Sequence, residues 1–391
     1  MMTRRGFTLP VILTGFLLLI VGFFYVRSTK QVEKSDGKEN VVSELPLHGS
    51  NSDTPSEKAD IPAVSIVAQG LEVPWGLVFL PESGMLVTER KGRVRFISKN
   101  GELKDDPVIT ISAVKQIGEG GLHGIALHPD FHDNKFVYLY YTYSGSEGNT
   151  LNRVVRYTYD GNSMRDEKII VDAIPGNSNH DGGRIKFGPD NMLYITTGDA
   201  QNPSHAQDKN SLAGKILRVT DEGKPAPGNP FGNRAYTYGH RNPQGIVWDK
   251  DGNLWETEHG PSGFETGNDE FNKIEIGKNY GWPEIRGKQT KEGMIAPIIE
   301  SGRADTWAPA GISYLNDSFY FAGLRGQALY EVENAINSPK LVTHFKGEFG
   351  RLREVIIGSD GMLYITTSNR DGRGIPKSGD DKILRINPEK L

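Results

Sequence analysis

The chain has 391 residues, 47 of them glycine and 22 proline, a formal net charge of −4 and no cysteine. That length suffices for one large or two ordinary domains with a substantial core. The slight negative balance offers nothing to a nucleic-acid backbone, and the missing thiols exclude disulfides, thiolate metal sites and a cysteine nucleophile.

The chain opens on a basic stretch, Thr3-Arg4-Arg5-Gly6-Phe7, and from Leu9 to Val26 it is almost entirely apolar. A run of about eighteen such residues just spans a bilayer as a helix. Arg4 and Arg5 bias its start to the cytoplasmic side and place the rest outside. With no small-residue cleavage site after the run, an uncleaved anchor is expected in preference to a removed signal peptide; the paired arginines also resemble a twin-arginine export signal. Residues 28–60 are rich in Ser, Asp, Glu, Lys and Asn without apolar period, as in a disordered polar tether. The division is therefore 1–27 as anchor or signal segment, 28–60 as tether and 61–391 as the folded domain, extracytoplasmic in either case.

From Ile61 onward a turn followed by a strand recurs. It is found at Pro81-Glu-Ser-Gly84 with Met85–Thr88, His128-Pro-Asp-Phe131 with Phe136–Tyr140, and Gly188-Pro-Asp-Asn191 with Met192–Ile195. Further copies are Asp249-Lys-Asp-Gly252 with Asn253–Trp255, Leu315-Asn-Asp317 with Phe319–Phe321, and Ser359-Asp-Gly361 with Met362–Ile365. Their spacing of about 45 to 65 residues is that of propeller blades with loop insertions, and six copies predict an all-β, six-bladed β-propeller. No long stretch has helical period. Lys382–Ile386 is expected to pair with an early strand near Ser65–Gln69 and so close the ring.

The third copy sits inside Asn179–Asp199, where two short strands and a tight turn return His180 and Asp199 to one end. A carboxylate beside a histidine fixes its tautomer and stabilises the imidazolium, which is how a general base is built. Taken alone, such a pair is more often the solvated ends of a hairpin. Other polar, glycine-rich loops, at 238–245, 258–270 and 349–353, would converge with it if they share one face of the ring. His123, His128, His240 and His259 sit in turn motifs without the spacing of zinc ligands.

Tyr236-Thr-Tyr-Gly-His-Arg-Asn-Pro-Gln-Gly-Ile246, Glu258-His-Gly-Pro261, Asn268-Asp-Glu270 and Asn279-Tyr-Gly-Trp-Pro283 follow one another. With His180-Asp-Gly-Gly-Arg184 and Gly121-Leu-His-Gly-Ile-Ala-Leu-His-Pro-Asp-Phe131, the pattern closely resembles the soluble PQQ-dependent glucose and aldose sugar dehydrogenases, the sorbosone-dehydrogenase-like family, from about Leu71 to the C-terminus. The resemblance implies a six-bladed propeller that oxidises an aldose at C1 to the lactone and passes electrons to an external acceptor, with PQQ and calcium as cofactors. It implies that His180 is the general base, that Asp199 orients it, and that Arg241 and Asn242 contact the quinone. Arg351 and Arg353 match the pair that holds the cofactor's carboxylates, a task suited to forked donors. Gly260 and Pro261 match the carbonyls that bind the catalytic calcium; Asp269, Glu270 and Tyr280 match further, structural calcium ligands. Trp307 falls near an aromatic lining the substrate cleft. Glu119 stands where glucose-specific members usually present a glutamine to the cofactor; a bare carboxylate there would repel those of PQQ. Arg325 stands near a position often held by lysine. Two other readings of the residues remain: a calcium-dependent propeller lactonase or esterase, and a non-catalytic propeller that binds a sugar or a protein.

Overall fold

The computed structural model describes residues 61–391 apart from 83 and 262–265; the expected anchor and tether lie outside the described residues. Among the described residues no helix is long and apolar enough to cross a membrane.

The strands run in chain order as β1 (Val64–Gln69), β2 (Pro74–Leu80), β3 (Gly84–Glu89), β4 (Arg93–Ser98), β5 (Ile109–Thr110), β6 (Leu122–Leu127), β7 (Phe136–Ser144), β8 (Thr150–Tyr159) and β9 (Met164–Pro175). They continue as β10 (Ile185–Phe187), β11 (Leu193–Thr197), β12 (Lys215–Val219), β13 (Ala235–Tyr238), β14 (Pro243–Trp248), β15 (Leu254–Glu258), β16 (Glu270–Ile274) and β17 (Ile299–Glu300). The last are β18 (Pro309–Leu315), β19 (Ser318–Gly323), β20 (Ala328–Glu333), β21 (Lys340–His344), β22 (Leu352–Ile357), β23 (Leu363–Thr367) and β24 (Lys382–Ile386). They form six four-stranded sheets. Five take consecutive strands, from β2–β5 to β18–β21, and the sixth joins β22, β23 and β24 to β1. In that sixth blade Val64 lies opposite Ile386 and Gln69 opposite Lys382, so the ring closes between the two ends of the folded part as the sequence predicts.

Six apolar clusters hold the ring, each between two neighbouring blades. Leu86 and Val94 of the first blade meet Leu139 and Val155 of the second, and the series ends where Ile383 of the sixth meets Val87 of the first. A blade thus buries both faces, which is why the middle strands read as nearly continuous apolar and threonine runs. β11 and β23 share the sequence Leu-Tyr-Ile-Thr-Thr, and the strands after them read Lys-Ile-Leu-Arg-Val and Lys-Ile-Leu-Arg-Ile. The two middle strands of blades three and six are thus near copies.

Antiparallel pairing sorts the loops by face. The recurrent turn motif joins the first and second strands of each blade and so lies at one end of the ring. Loops between second and third strands, and those leading into the next blade, lie at the other end. First strands carry β-bulges as they leave that second end, at Pro74/Leu77, Leu122/Ile125, Pro243/Gly245, Pro309/Ile312 and Leu352/Glu354. Bulges bend a strand and re-aim its side chains beside a site. Residues of four blades meet at Arg184, which pairs with Glu354, donates to the Gln244 carbonyl at 2.9 Å and stacks over Trp75.

His123 on β6 shows how polar residues are housed there. Its ring lies 4.9 Å from Trp75 and 5.9 Å from Tyr140, both stacked, and Nε2 meets the Glu119 carbonyl at 2.9 Å. Burial, against the pull of that carbonyl and aided by Arg353 and Arg90, pushes the imidazole down to about 3. The unfolded chain takes up a proton near 6.5 and the folded one does not until about 3, so this group's contribution is complete above 6.5 and is lost as pH falls toward 3. Between pH 7.5 and 5 it should remove about 2 kcal/mol of stability. Denaturant unfolding of His123→Gln at both pH values should show a less stable protein at pH 7.5 but a smaller loss on acidification than the parent; an unchanged loss would contradict this role.

Candidate active site at the loop end of the ring

The loop end opens into a cavity of about 400 Å³ lined by His180, Glu119, Arg241, Gly260, Pro261, Asp269, Arg325, Arg351 and Arg353, together with Arg90, His259, Asp371 and Arg373. Loops of all six blades contribute, so the convergence expected from sequence is realised for nine of the predicted site residues.

His180 precedes β10 and has a left-handed backbone, φ 62°, as do Ala200 at 55° and Gln201 at 61° in the facing loop. Left-handed conformations at non-glycine residues are costly and persist where surroundings over-determine them. The surroundings are visible: the His180 amide donates to Glu119 Oε2 at 3.2 Å and its carbonyl accepts from the Ala200 amide at 3.2 Å. A Cβ on Gly198 would stand 2.0 Å from the His180 carbonyl oxygen, so only glycine allows this approach.

His180 Nδ1 lies 2.7 Å from Asp199 Oδ1, and Nε2 lies 2.9 Å from Arg241 Nη2. A guanidinium has only hydrogens to give, so Nε2 must carry a lone pair and Nδ1 the proton. The imidazole is held in the tautomer of a general base. Asp199, 1 % exposed, also accepts from the Gln201 amide at 2.8 Å and, on Oδ2, from Trp282 Nε1 at 2.8 Å. Arg241 is fixed in turn: its amide is bound by Glu258, its Nη1 donates to the His259 carbonyl at 3.1 Å, and its guanidinium lies 5.4 Å from the Trp282 ring.

Opposite the base stand the arginines. Arg351 donates to Asp371 Oδ2 at 2.7 Å and to the Leu324 carbonyl at 3.1 Å; Arg353 donates to Gln244 Oε1 at 3.0 Å. Burial, partly offset by Asp371, lowers the Arg353 guanidinium to about 9, the signature of a desolvated cation. Arg325 is exposed at the rim, with Nη1 at 3.3 Å from Thr266 Oγ1.

The remaining predicted residues divide. Asn242 does not line the cavity; it is buried and its Oδ1 accepts the Gly182 amide at 3.0 Å, bracing the His180 loop. Trp307 does not line it either. Its ring is 2 % exposed and packs 5.5 Å from Phe321 and 5.6 Å from Tyr330, because the chain turns Thr306 and Ala308 inward instead. Asp269 serves as a clamp: it accepts from the Gly260 amide at 2.8 Å, and from Thr306 Oγ1, the Trp307 amide and the Ala308 amide at 2.8, 2.6 and 2.9 Å. Tyr280 uses its hydroxyl between the Lys273 carbonyl and the Glu275 amide, both at 2.8 Å. With Gly260, Pro261, Glu258 and Glu270 it borders a small further cavity. Burial and the neighbouring Glu258 raise the Glu270 carboxyl to about 8, and burial beside Glu258 raises Glu256 well above the carboxylate range. Both Glu256 oxygens are buried without a hydrogen-bond partner. The four histidines form no cluster: His123 and His128 belong to the second blade, His240 pairs with Glu258 at 2.9 Å, and His259 faces the large cavity.

Sequence reasoning missed Arg90, Trp282, Asp371 and Arg373. The repeated Leu-Tyr-Ile-Thr-Thr strand was the available signal, since the loop after its first copy carries Asp199 and the loop after its second carries Asp371 and Arg373.

Residues 71–384 match the sequence model of the glucose/sorbosone dehydrogenases. The chain is 32 % identical over 361 residues to the aldose sugar dehydrogenase YliI of Escherichia coli, covering 83 % of this chain and 92 % of that one. It is 30 % identical over 265 residues to the quinoprotein glucose dehydrogenase B of Acinetobacter calcoaceticus, with 58 % and 54 % covered. The structure of the PQQ-bound aldose sugar dehydrogenase of Streptomyces coelicolor superposes with a TM-score of 0.77 at 41 % identity, over 83 % of this chain and 99 % of that one.

Replacing Trp282 by Phe keeps a ring and removes the N–H from buried Asp199 Oδ2. Stability should drop by about 1–3 kcal/mol. With fewer donors on the carboxylate, the His180 Nδ1 proton should move downfield in the NMR spectrum; a resonance that stays put would show that Trp282 does not hold the couple.

Proposed function

Because the chain belongs to the glucose/sorbosone dehydrogenase family and is an oxidoreductase acting on sugars, we propose that it oxidises aldoses at C1 to the lactone with PQQ and calcium as cofactors. One observation carries the reading: the cavity beside a proton-accepting His180 is lined, among the described residues, by six arginines against three carboxylates. PQQ carries three carboxylates, which that surplus matches, and forked donors suit carboxylate oxygens. His259 adds a buried Nε2 without a partner on the same wall. The lactonase and pure-binding readings give this arginine surplus no task.

Bound there, PQQ supplies an ortho-quinone that accepts a hydride from the sugar's C1. Arg351, Arg353 and Arg90 would hold its carboxylates. His180 Nε2 takes the proton of the anomeric hydroxyl as the C1–H pair leaves, so that a carbon–oxygen double bond forms and the lactone results. Asp199 carries the charge balance by keeping the Nδ1 proton and stabilising the imidazolium. Arg241, already within reach of Nε2, is placed to stabilise negative charge on an oxygen beside the base. Gly260 and Pro261, whose carbonyls would bind calcium, border the small cavity with the carboxylates of Glu258 and Glu270, oxygen donors of the kind calcium prefers. Calcium there would act as a Lewis acid on the quinone carbonyl. An external acceptor must then remove the electrons. Arg4, Arg5 and the apolar run Leu9–Val26 support an extracytoplasmic site tethered to the membrane.

The purified chain, loaded with PQQ and calcium and given aldoses and a redox dye, should reduce the dye. His180→Gln should lower kcat by about 10²–10⁴-fold while PQQ still binds. Full turnover in that variant, or lactone hydrolysis without PQQ in the parent, would overturn the reading.

A further inference from the structure

Each of the three carboxylates in the cavity beside His180 has an identifiable partner. Asp269 is held by four protein donors, and Asp371 by Arg351 and by the amides of Arg373 and Gly374 at 2.9 and 3.2 Å. The third is Glu119, in the connection from β5 to β6, and its partner comes from the sixth blade. Arg373, in the loop after β23, donates through Nη1 to Glu119 Oε1 and through Nη2 to Asn179 Oδ1 at 2.9 Å. The other Glu119 oxygen accepts the amide of His180. A single guanidinium therefore joins three loops, 254 residues apart at the extremes, at the residue before the base and at the carboxylate that holds the base's backbone.

We infer that Arg373 is a positioning residue that acts through Glu119: it neutralises the one carboxylate that would otherwise face the cofactor's own, and keeps it locked on the His180 amide. The inference rests on the PQQ reading above. Glu119 cannot escape the conflict by taking up a proton. Burial alone would raise it, but His259 and Arg373, with hydrogen bonds from Arg373 and the His180 amide, outweigh burial and hold it at about 2. Its charge must be balanced, not removed. Arg373 is suited to that: its side chain is 55 % exposed, while Glu119, at 18 %, is largely shielded. The carboxylate is thus fixed and the guanidinium reaches in to it from the rim.

The test is a double-mutant cycle read by PQQ affinity in isothermal titration, on the full chain with calcium. Arg373→Gln should weaken PQQ about tenfold or more, because it strands a negative charge. Glu119→Gln alone should leave affinity within about threefold. The double variant should bind like Glu119→Gln, so that the loss at 373 disappears once the carboxylate is gone, and Arg373→Lys should recover most of the affinity. Titration of Arg373→Gln in two buffers of different ionisation enthalpy should show proton uptake on binding that the parent lacks. If Arg373→Gln costs the same with Gln at 119 as with Glu, the arginine meets the cofactor directly and the inference falls while the functional reading stands. Failure of the parent to bind PQQ would overturn the functional reading, and this inference with it.

Discussion

His180 Nδ1 sits 2.7 Å from an oxygen of buried Asp199, and much of the loop end exists to keep that contact in one geometry. Asp199 is fixed at both oxygens, by an amide within its own loop and by the indole of a residue 83 positions away. The histidine is fixed at both nitrogens and at both backbone groups. Three left-handed residues and an obligatory glycine are the strain this arrangement stores, and they cluster where the chemistry is proposed. A base held this firmly loses little in reorganisation when the proton moves, which is where pre-organised sites gain their rate.

The ring makes such crowding possible. Each blade delivers two loops to the same end, so residues from every part of the chain reach one hollow. At the opposite end short Pro-, Gly- and Asp-rich turns join first to second strands, whereas the long connection from β16 to β17, residues 275–298, returns to the loop end and brings Trp282 to Asp199. Bulges at the loop end of the first strands interrupt the ladder where the side chains must turn toward the cavity. The buried Arg184–Glu354 pair ties the start of the third blade to the first strand of the sixth.

How far this was legible in the sequence follows from the range of the forces involved. Turn residues act locally, so the six copies of the turn and strand, and hence the blade count, could be read directly. So could the pairing of Lys382–Ile386 with the first strand, since a closed ring leaves no edge unpaired. His180 and Asp199 flank one hairpin, and its short turn brings them together. Trp282 and Arg373 act on partners 83 and 254 residues away, and no local pattern records such a meeting. Trp307 and Asn242 went the other way: both neighbour cavity residues in sequence, but a chain running along the wall points alternate side chains outward, and those two were turned into the core and the loop support.

Glu119 shows why a single substitution in a motif is a poor guide to loss of function. Seen alone, an added negative charge opposes an anionic ligand. In the folded ring that charge has a cation of its own, brought from the sixth blade, and the pair together adds nothing to the balance of the cavity. Charge in a desolvated pocket is a property of the whole lining and not of one position, because at low dielectric each group is felt by all the others. The arginine surplus is therefore what a polyanion would meet, and the exchange of a neutral side chain for an acidic one at 119 is offset within it by the basic residue at 373.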